Sequence, residues 1–140
     1  MKMQVVPIEN AAVSDRWSKS FDYDAMLFGL SQTDIEPSSY QNFLVSSAGT
    51  HQWRPKQKEP ATEWEARIDK LFAEQSVELD PVKRLALFSE IQSIMQEEMP
   101  VIPIAARHIV GAAHAKIGNY SPSSIFPYSL WNIEELFIKK

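Results

Sequence analysis

The fold is decided by the stretch Thr62-Glu63-Trp64-Glu65-Ala66-Arg67-Ile68-Asp69-Lys70-Leu71-Phe72. Thr62 and Glu65 form the T-x-x-E pattern of a capping box, in which each side chain accepts a hydrogen bond from a backbone amide that the first helical turn leaves free. Behind this pattern the larger side chains recur at helical spacing. They are Trp64, Ile68, Leu71, Phe72 and Gln75. We therefore predict an amphipathic helix that buries this face.

A second helix is predicted directly after the first. Asp80 is a good N-cap residue and Pro81 suits the first helical position, where no amide hydrogen is needed. The helix must end before Pro100, which disfavours a helical conformation for the residue before it. Its predicted apolar stripe consists of Leu85, Phe88, Ile91, Ile94 and Met95.

Short apolar segments on either side of the two helices predict strands. They are Met3–Ile8, Tyr23–Phe28, Val101–Ala105, His108–Ala113 and Trp131–Ile138. A helical pattern over Glu9–Ser18 separates the first two, so the first third of the chain reads as β-α-β. The fold class that follows is α+β, with a mixed sheet packed by helices, and residues 1–140 form a single partial domain.

Residues 29–60 form a long polar connection with one helical turn or more beginning at Pro37 and running through Leu44. Connections of this length without regular structure are uncommon in compact domains and are often functional. We therefore expect the binding site to use residues of this connection.

Composition excludes several classes of function. Eighteen Asp and Glu against fourteen Lys and Arg leave no basic field for nucleic acid, and the absence of cysteine excludes disulfides and thiolate sites. No apolar stretch is long enough to span a bilayer, and the amino end lacks the features of a signal peptide. The chain also lacks phosphate-cradling and dinucleotide motifs, so we expect no cofactor.

Several segments together carry a resemblance to a known family. They are Phe21 to Gly29, Asp34-x-Glu36-Pro37, Trp64 to Leu71, Asp80 to Gln92 and Glu98 to Ile104. In this order and spacing they resemble the end of the family 5 extracellular solute-binding proteins, the dipeptide, oligopeptide and nickel type. The resemblance covers residues from about Met3 to about Ile138, which would be the last quarter or so of such a protein.

The resemblance implies the carboxy-terminal lobe of a periplasmic-binding-protein clamshell. Such a receptor closes on a peptide or other small solute and delivers it to the membrane permease subunits of an ABC importer. It works in the periplasm or outside the cell, without catalysis, and its signal peptide and amino-terminal lobe would lie outside this chain. Residues 131–138 would be the strand that returns to the hinge or the first lobe.

The candidate ligand-binding residues are Leu30, Ser31, Thr33, Asp34 and Trp53. The first four follow a predicted strand, and ligands of open α/β sheets lie beyond the carboxyl ends of strands. Peptide-binding members of the family have an aspartate in a Gly-Trp-x-x-Asp setting, whereas here Leu30 replaces the tryptophan and the carboxylate comes one residue later, at Asp34. The plainer alternative is that Asp34 and Glu36 shape a turn.

Trp53 could stack on a ligand or could pin its loop to the domain. The basic run Arg54, Lys56 and Lys58 is typical of a solvated loop, and the three histidines lack the spacing of a metal site. Two alternative functions stay open. One is hydrolysis of glycans or esters by Glu65 and Asp69, whose plainer role is helix capping. The other is a stand-alone protein-interaction domain.

Overall fold

The computed structural model describes residues 2–29, 36–106, 108–124 and 126–140. The chain divides into two compact units, one made of residues 1–29 and 40–101 and the other of residues 30–39 and 102–140. The α-helices are α1 Asn10–Asp15, α2 Gln41–Leu44, α3 Glu63–Val77 and α4 Pro81–Glu98. The strands are β1 Ile117–Gly118 and β2 Phe137–Ile138.

The two long helices are confirmed. The capping box at the start of α3 is complete, because Thr62 accepts from the Glu65 amide and Glu65 accepts from the Thr62 amide. Asp80 caps α4 by accepting from the amide of Val82 at 2.9 Å. The helix ends at Glu98, and its C-cap residue Met99 takes a left-handed backbone conformation with φ of 47°.

The core of the first unit lies between α2, α3 and α4. It consists of Phe43, Leu44, Ile68, Leu71, Phe72 and Ile91. The predicted face of α3 is confirmed at Ile68, Leu71 and Phe72, all of which are buried. The turn predicted to begin at Pro37 is also confirmed, because a 3-10 turn over Pro37–Tyr40 leads into α2.

The predicted stripe of α4 is confirmed at Ile91, which is buried, and at Phe88, Ile94 and Met95, which pack half-buried against the core. It is wrong at Leu85, whose exposed fraction is 64%. The neighbouring Arg84 is the residue turned towards α3, where its guanidinium donates to Gln75 at 3.1 Å. Leu87 and Phe88 are half-buried beside the core. The departure from the predicted face is therefore at Leu85, where Arg84 contacts α3 in its place.

The β-α-β prediction for the first third is wrong in its strands. The predicted helix is found as α1 followed by a π-helical turn over Arg16–Ser20. Within the described residues, Met3–Ile8 and Tyr23–Phe28 belong to no β-ladder. A strand needs a hydrogen-bonded neighbour, and these segments have none in the described part of the chain.

The second unit contains a two-residue antiparallel ladder that pairs Ile117 with Ile138 and Gly118 with Phe137. The ring of Phe137 lies over Gly118, where any side chain at position 118 would overlap it. The strand predicted at Trp131–Ile138 is confirmed only in its last two residues, which follow a 3-10 turn over Ile133–Glu135.

The strands predicted at Val101–Ala105 and His108–Ala113 are wrong, because none of these residues belongs to a ladder in the described structure. Apolar side chains there are exposed, with exposed fractions of 76% at Ile104 and 89% at Val110. The chain therefore combines helices with a small antiparallel sheet. No helix among the described residues has the length and apolarity needed to cross a membrane.

Candidate functional site

Four of the five predicted ligand residues, Leu30, Ser31, Thr33 and Asp34, lie outside the described residues, and their role stays a prediction. Glu36, which is described, accepts with its side chain from the hydroxyl of Ser38 at 3.2 Å and from its amide at 3.4 Å. Glu36 thus has the turn-forming role that the sequence offered as the plainer alternative.

The best-defined polar arrangement is the attachment of residues 46–62, the anchored loop, to α3. At the start of the loop, the amide of Ser46 donates to Asp69 Oδ1 at 2.8 Å. At its end, Glu65 Oε2 accepts from the amides of Ala61 at 2.9 Å and Thr62 at 3.0 Å. Glu65 and Asp69 are four residues apart and so lie on the same helical face. One face of α3 therefore holds both ends of the loop.

Glu65 also holds the middle of the anchored loop. Its Oε1 accepts from the indole nitrogen of Trp53 at 3.1 Å and lies 3.4 Å from His51 Nε2. The side chains of Glu65 and His51 are fully buried, and the exposed Arg54 approaches the same oxygen with its Nε at 3.8 Å. Both carboxylate oxygens are thus directed at donors from the loop.

These donors determine the ionisation of Glu65. Burial by itself raises the pKa of this carboxyl, because a low-dielectric setting disfavours the charged form. The hydrogen bonds from Ala61, Thr62, His51 and Trp53 favour the carboxylate and together outweigh burial, so the pKa is below its ordinary value. The structure therefore favours a charged Glu65.

Trp53, the fifth predicted ligand residue, is half-buried among other rings. Its ring meets Phe43 edge-on with centroids 5.4 Å apart, and it lies 3.9 Å from His51 and 6.1 Å from Trp64. Together with its bond to Glu65, these contacts pin the loop to α3. A ligand-stacking role stays a prediction that would use whatever surface of the ring remains free.

The contacts of Glu65 and Asp69 favour structural roles over acid and base catalysis. A general acid or base must reach its substrate. Glu65 has an exposed fraction of only 1%, and its oxygens accept from Trp53, Ala61 and Thr62 of the anchored loop and contact its His51. Asp69 is half-buried and accepts from Ser46. Both carboxylates are therefore occupied in holding the loop.

The amino-terminal segment is attached to the same loop. The hydroxyl of Tyr23 donates to the side-chain oxygen of Gln52 at 2.8 Å, and burial raises the pKa of Tyr23. Lys56 lies over the ring of Phe21 at 4.7 Å from the centroid, a cation–π arrangement. The basic side chains of the loop are otherwise exposed, as the sequence predicts for a solvated run.

The described residues contain no group of three or more His, Asp or Glu that could hold a metal ion. His51 is committed to the buried network around Glu65. The ring of His114 accepts from the amide of Lys116 at 3.1 Å, which is a local turn contact.

Comparison with known family models, curated proteins and solved structures gives no match to this chain. The site therefore has to be interpreted from its own residues. Sequence reasoning identified the cap at Glu65 but missed its bonds to Trp53 and His51. The T-x-x-E pattern signals only the local cap, because bonds to residues twelve and fourteen positions away depend on how the loop folds back.

Proposed function

We propose that this chain is the carboxy-terminal part of a two-lobed extracytoplasmic solute-binding protein. It would bind a peptide-like or other small solute, without catalysis, and deliver it to the permease subunits of an ABC importer. The motif resemblance supports this proposal, since its segments span most of the chain in a fixed order.

The exposure of several strand-like apolar segments also supports the proposal. Segments whose sequences are typical of buried strands are exposed and unpaired within the described residues, as at Val5, Ile104 and Val110. The well-capped helices α3 and α4, in contrast, form an ordinary core. This combination is expected for one lobe of a larger protein, whose sheet is completed by chain from elsewhere.

The ligand would be shared between the lobes. Ligand pockets bury most of the ligand surface, so a single lobe offers only part of the contacts. Asp34 is the proposed partner for a cationic group of the solute, since an enclosed carboxylate forms a charge-assisted hydrogen bond with an ammonium group. Ser31 and Thr33 are the other polar candidates in that segment.

The first test compares the isolated chain with the same chain joined to the upstream lobe. Calorimetric titration with di- and oligopeptides should give measurable affinity only for the two-lobed protein. A sub-micromolar dissociation constant for the isolated chain would contradict the two-lobe proposal. So would an upstream reading frame that encodes no amino-terminal lobe.

The second test replaces Asp34 by Asn in the two-lobed protein. If Asp34 pairs with a cationic group, affinity should fall by about 2 kcal/mol or more, because the solute's charge is left without its partner. The matched control is Asp24→Asn, which neutralises an exposed carboxylate of the same chain and should leave affinity unchanged. Unchanged affinity in Asp34→Asn, with equal thermal melts, would remove Asp34 from the site.

A further inference from the structure

A groove of about 420 Å³ lies between the first turns of α3 and the last turns of α4. It is lined by Glu63, Trp64, Arg67, Ile94, Glu97 and Glu98. Trp64 and Ile94 provide its apolar surface, and both are half-buried. The groove belongs to the first unit and lies on its two longest helices.

The rim of the groove has an unbalanced negative charge. Arg67 is the one cation among the described residues of the lining, and its guanidinium is already bound to Glu90, at 2.8 Å from Nε and 2.6 Å from the terminal nitrogen. Glu63, Glu97 and Glu98 form no hydrogen bond or ion pair with any residue in the described part of the chain. The groove therefore presents three carboxylates that no cation of this unit neutralises.

Two of these carboxylates stand where the helix itself disfavours them. Glu97 and Glu98 are the last two residues of α4, and the last turn of this helix contains no basic residue. The carboxyl end of a helix bears partial negative charge, so cations are stabilising there and anions are not. A cation bound in the groove would reduce the repulsion among the carboxylates and the repulsion between them and the carboxyl end of α4.

The remaining feature of the groove fits the same ligand. The faces of tryptophan rings attract cations, and arginine is the side chain most often found in that arrangement. Trp64 supplies such a ring beside the three carboxylates, and Ile94 can accommodate the methylene stem of a long basic side chain. The tryptophan ring and the carboxylates thus favour the same ligand, a long basic side chain.

We propose that this groove docks an arginine or lysine side chain presented by a basic segment of a partner protein. The side chain lies along Trp64 and Ile94, and its charged end meets Glu97 and Glu98. This docking does not depend on solute binding and uses a surface of the isolated chain.

The test is fluorescence anisotropy with the peptide acetyl-Gly-Arg-Gly-Arg-Gly-amide bearing an uncharged fluorophore, at low ionic strength. The same peptide with citrulline in place of arginine keeps the shape and removes the charge. The arginine peptide should bind and the citrulline peptide should not. Affinity should fall as salt is added, since exposed charges are screened.

Two variants locate the binding on the protein. Glu97→Gln with Glu98→Gln should weaken binding by about tenfold, as expected for the loss of two exposed ion pairs. Glu59→Gln with Glu74→Gln makes the same change in net charge at exposed and half-buried positions outside the groove and should change affinity less than twofold.

Three results would overturn the proposal. They are no binding of the arginine peptide at millimolar concentration, equal binding of the citrulline peptide, and equal weakening by the two double variants. Far-UV circular dichroism of each variant separates a loss of binding from a loss of fold. If a double variant unfolds, Trp64→Phe serves instead, since it keeps a ring with a weaker attraction for cations.

Discussion

Replacing Glu65 by Gln should release the anchored loop from α3. The substitution keeps the size of the side chain and turns one of its two acceptor oxygens into a donor. If the remaining oxygen stays with the amides of Ala61 and Thr62, the new amide group faces the indole N–H of Trp53 and the ring of His51. The new side-chain amide and the indole N–H of Trp53 are both donors, and they would face each other in the protein interior without an acceptor.

The magnitude follows from these bonds. A hydrogen bond to a charged group contributes about 1.5–3 kcal/mol, and a buried donor left unpaired costs about 1–3 kcal/mol. The lost hydrogen bond and the unpaired donor both describe the contact with Trp53, so its energy is counted once. The hydrogen bonds from the amides of Ala61 and Thr62 also weaken, because their acceptor is no longer charged, and this loss is added. We expect the free energy of unfolding of Glu65→Gln to be lower by about 3 kcal/mol at neutral pH.

The assay is urea denaturation followed by far-UV circular dichroism. The control is Glu63→Gln, two residues away in the same helical turn but exposed, which should change stability by less than about 0.5 kcal/mol. If Glu65→Gln unfolds at the same urea concentration as Glu63→Gln, the Glu65 carboxylate does not hold the loop, and its hydrogen bonds do not contribute to the free energy of unfolding.

The stability difference between the parent protein and Glu65→Gln should depend on pH. Because folding lowers the pKa of Glu65, its contribution to stability is fully present above its unfolded-state pKa of about 4.3 and is lost as pH falls through the lower, folded-state value. The difference in unfolding free energy between the parent and Glu65→Gln should therefore be constant from pH 6 to 7 and shrink below about pH 4. A difference that grows on acidification would reverse the assigned direction.

Three further substitutions test the packing of the two long helices by urea denaturation. Leu71→Ala should cost about 2–5 kcal/mol because Leu71 is fully buried, whereas exposed Lys70→Ala should change little; equal midpoints would show that the core face of α3 is wrong. Leu85→Ala should cost less than about 1 kcal/mol, and a loss typical of a core leucine would restore the predicted stripe of α4. Met99→Gly should stabilise the protein by about 0.5–1 kcal/mol by relieving the left-handed backbone, and a loss of stability would mean that the Met99 side chain contributes more than its backbone costs.

The sequence predicted best what depends on neighbours along the chain. Helix hydrogen bonds and caps join residues three or four positions apart, so Thr62, Glu65 and Asp80 were sufficient to place the starts of α3 and α4. The buried face of α3 followed from spacing alone. At the start of α4 the apolar pattern was misleading, since Arg84, which the pattern did not consider, pairs with Gln75 and leaves Leu85 exposed.

The candidate site was less predictable because its contacts join distant parts of the chain. Trp53 was predicted as a ligand-binding residue, and the contacts that fix it in the structure come from α2, α3 and the loop itself. Glu65 and Asp69 were considered as a catalytic carboxylate pair. The hydrogen bonds that they accept from the loop become visible only in the folded structure. A short motif identifies the donor or acceptor, whereas the partner depends on tertiary structure.

Several apolar segments of the chain are exposed and form no β-ladder within the described residues. Full burial of a side chain such as that of Ile or Val contributes about 1.5–3 kcal/mol, and the exposed Ile102, Ile104 and Val110 forgo most of that stabilisation. A ladder of two residue pairs cannot supply the hydrogen bonds that such segments need as strands. Among these segments Val101 packs against the helical core, whereas Ile102, Ile104 and Val110 remain exposed. These exposed segments are the surface that the second lobe of the proposed solute-binding protein would cover.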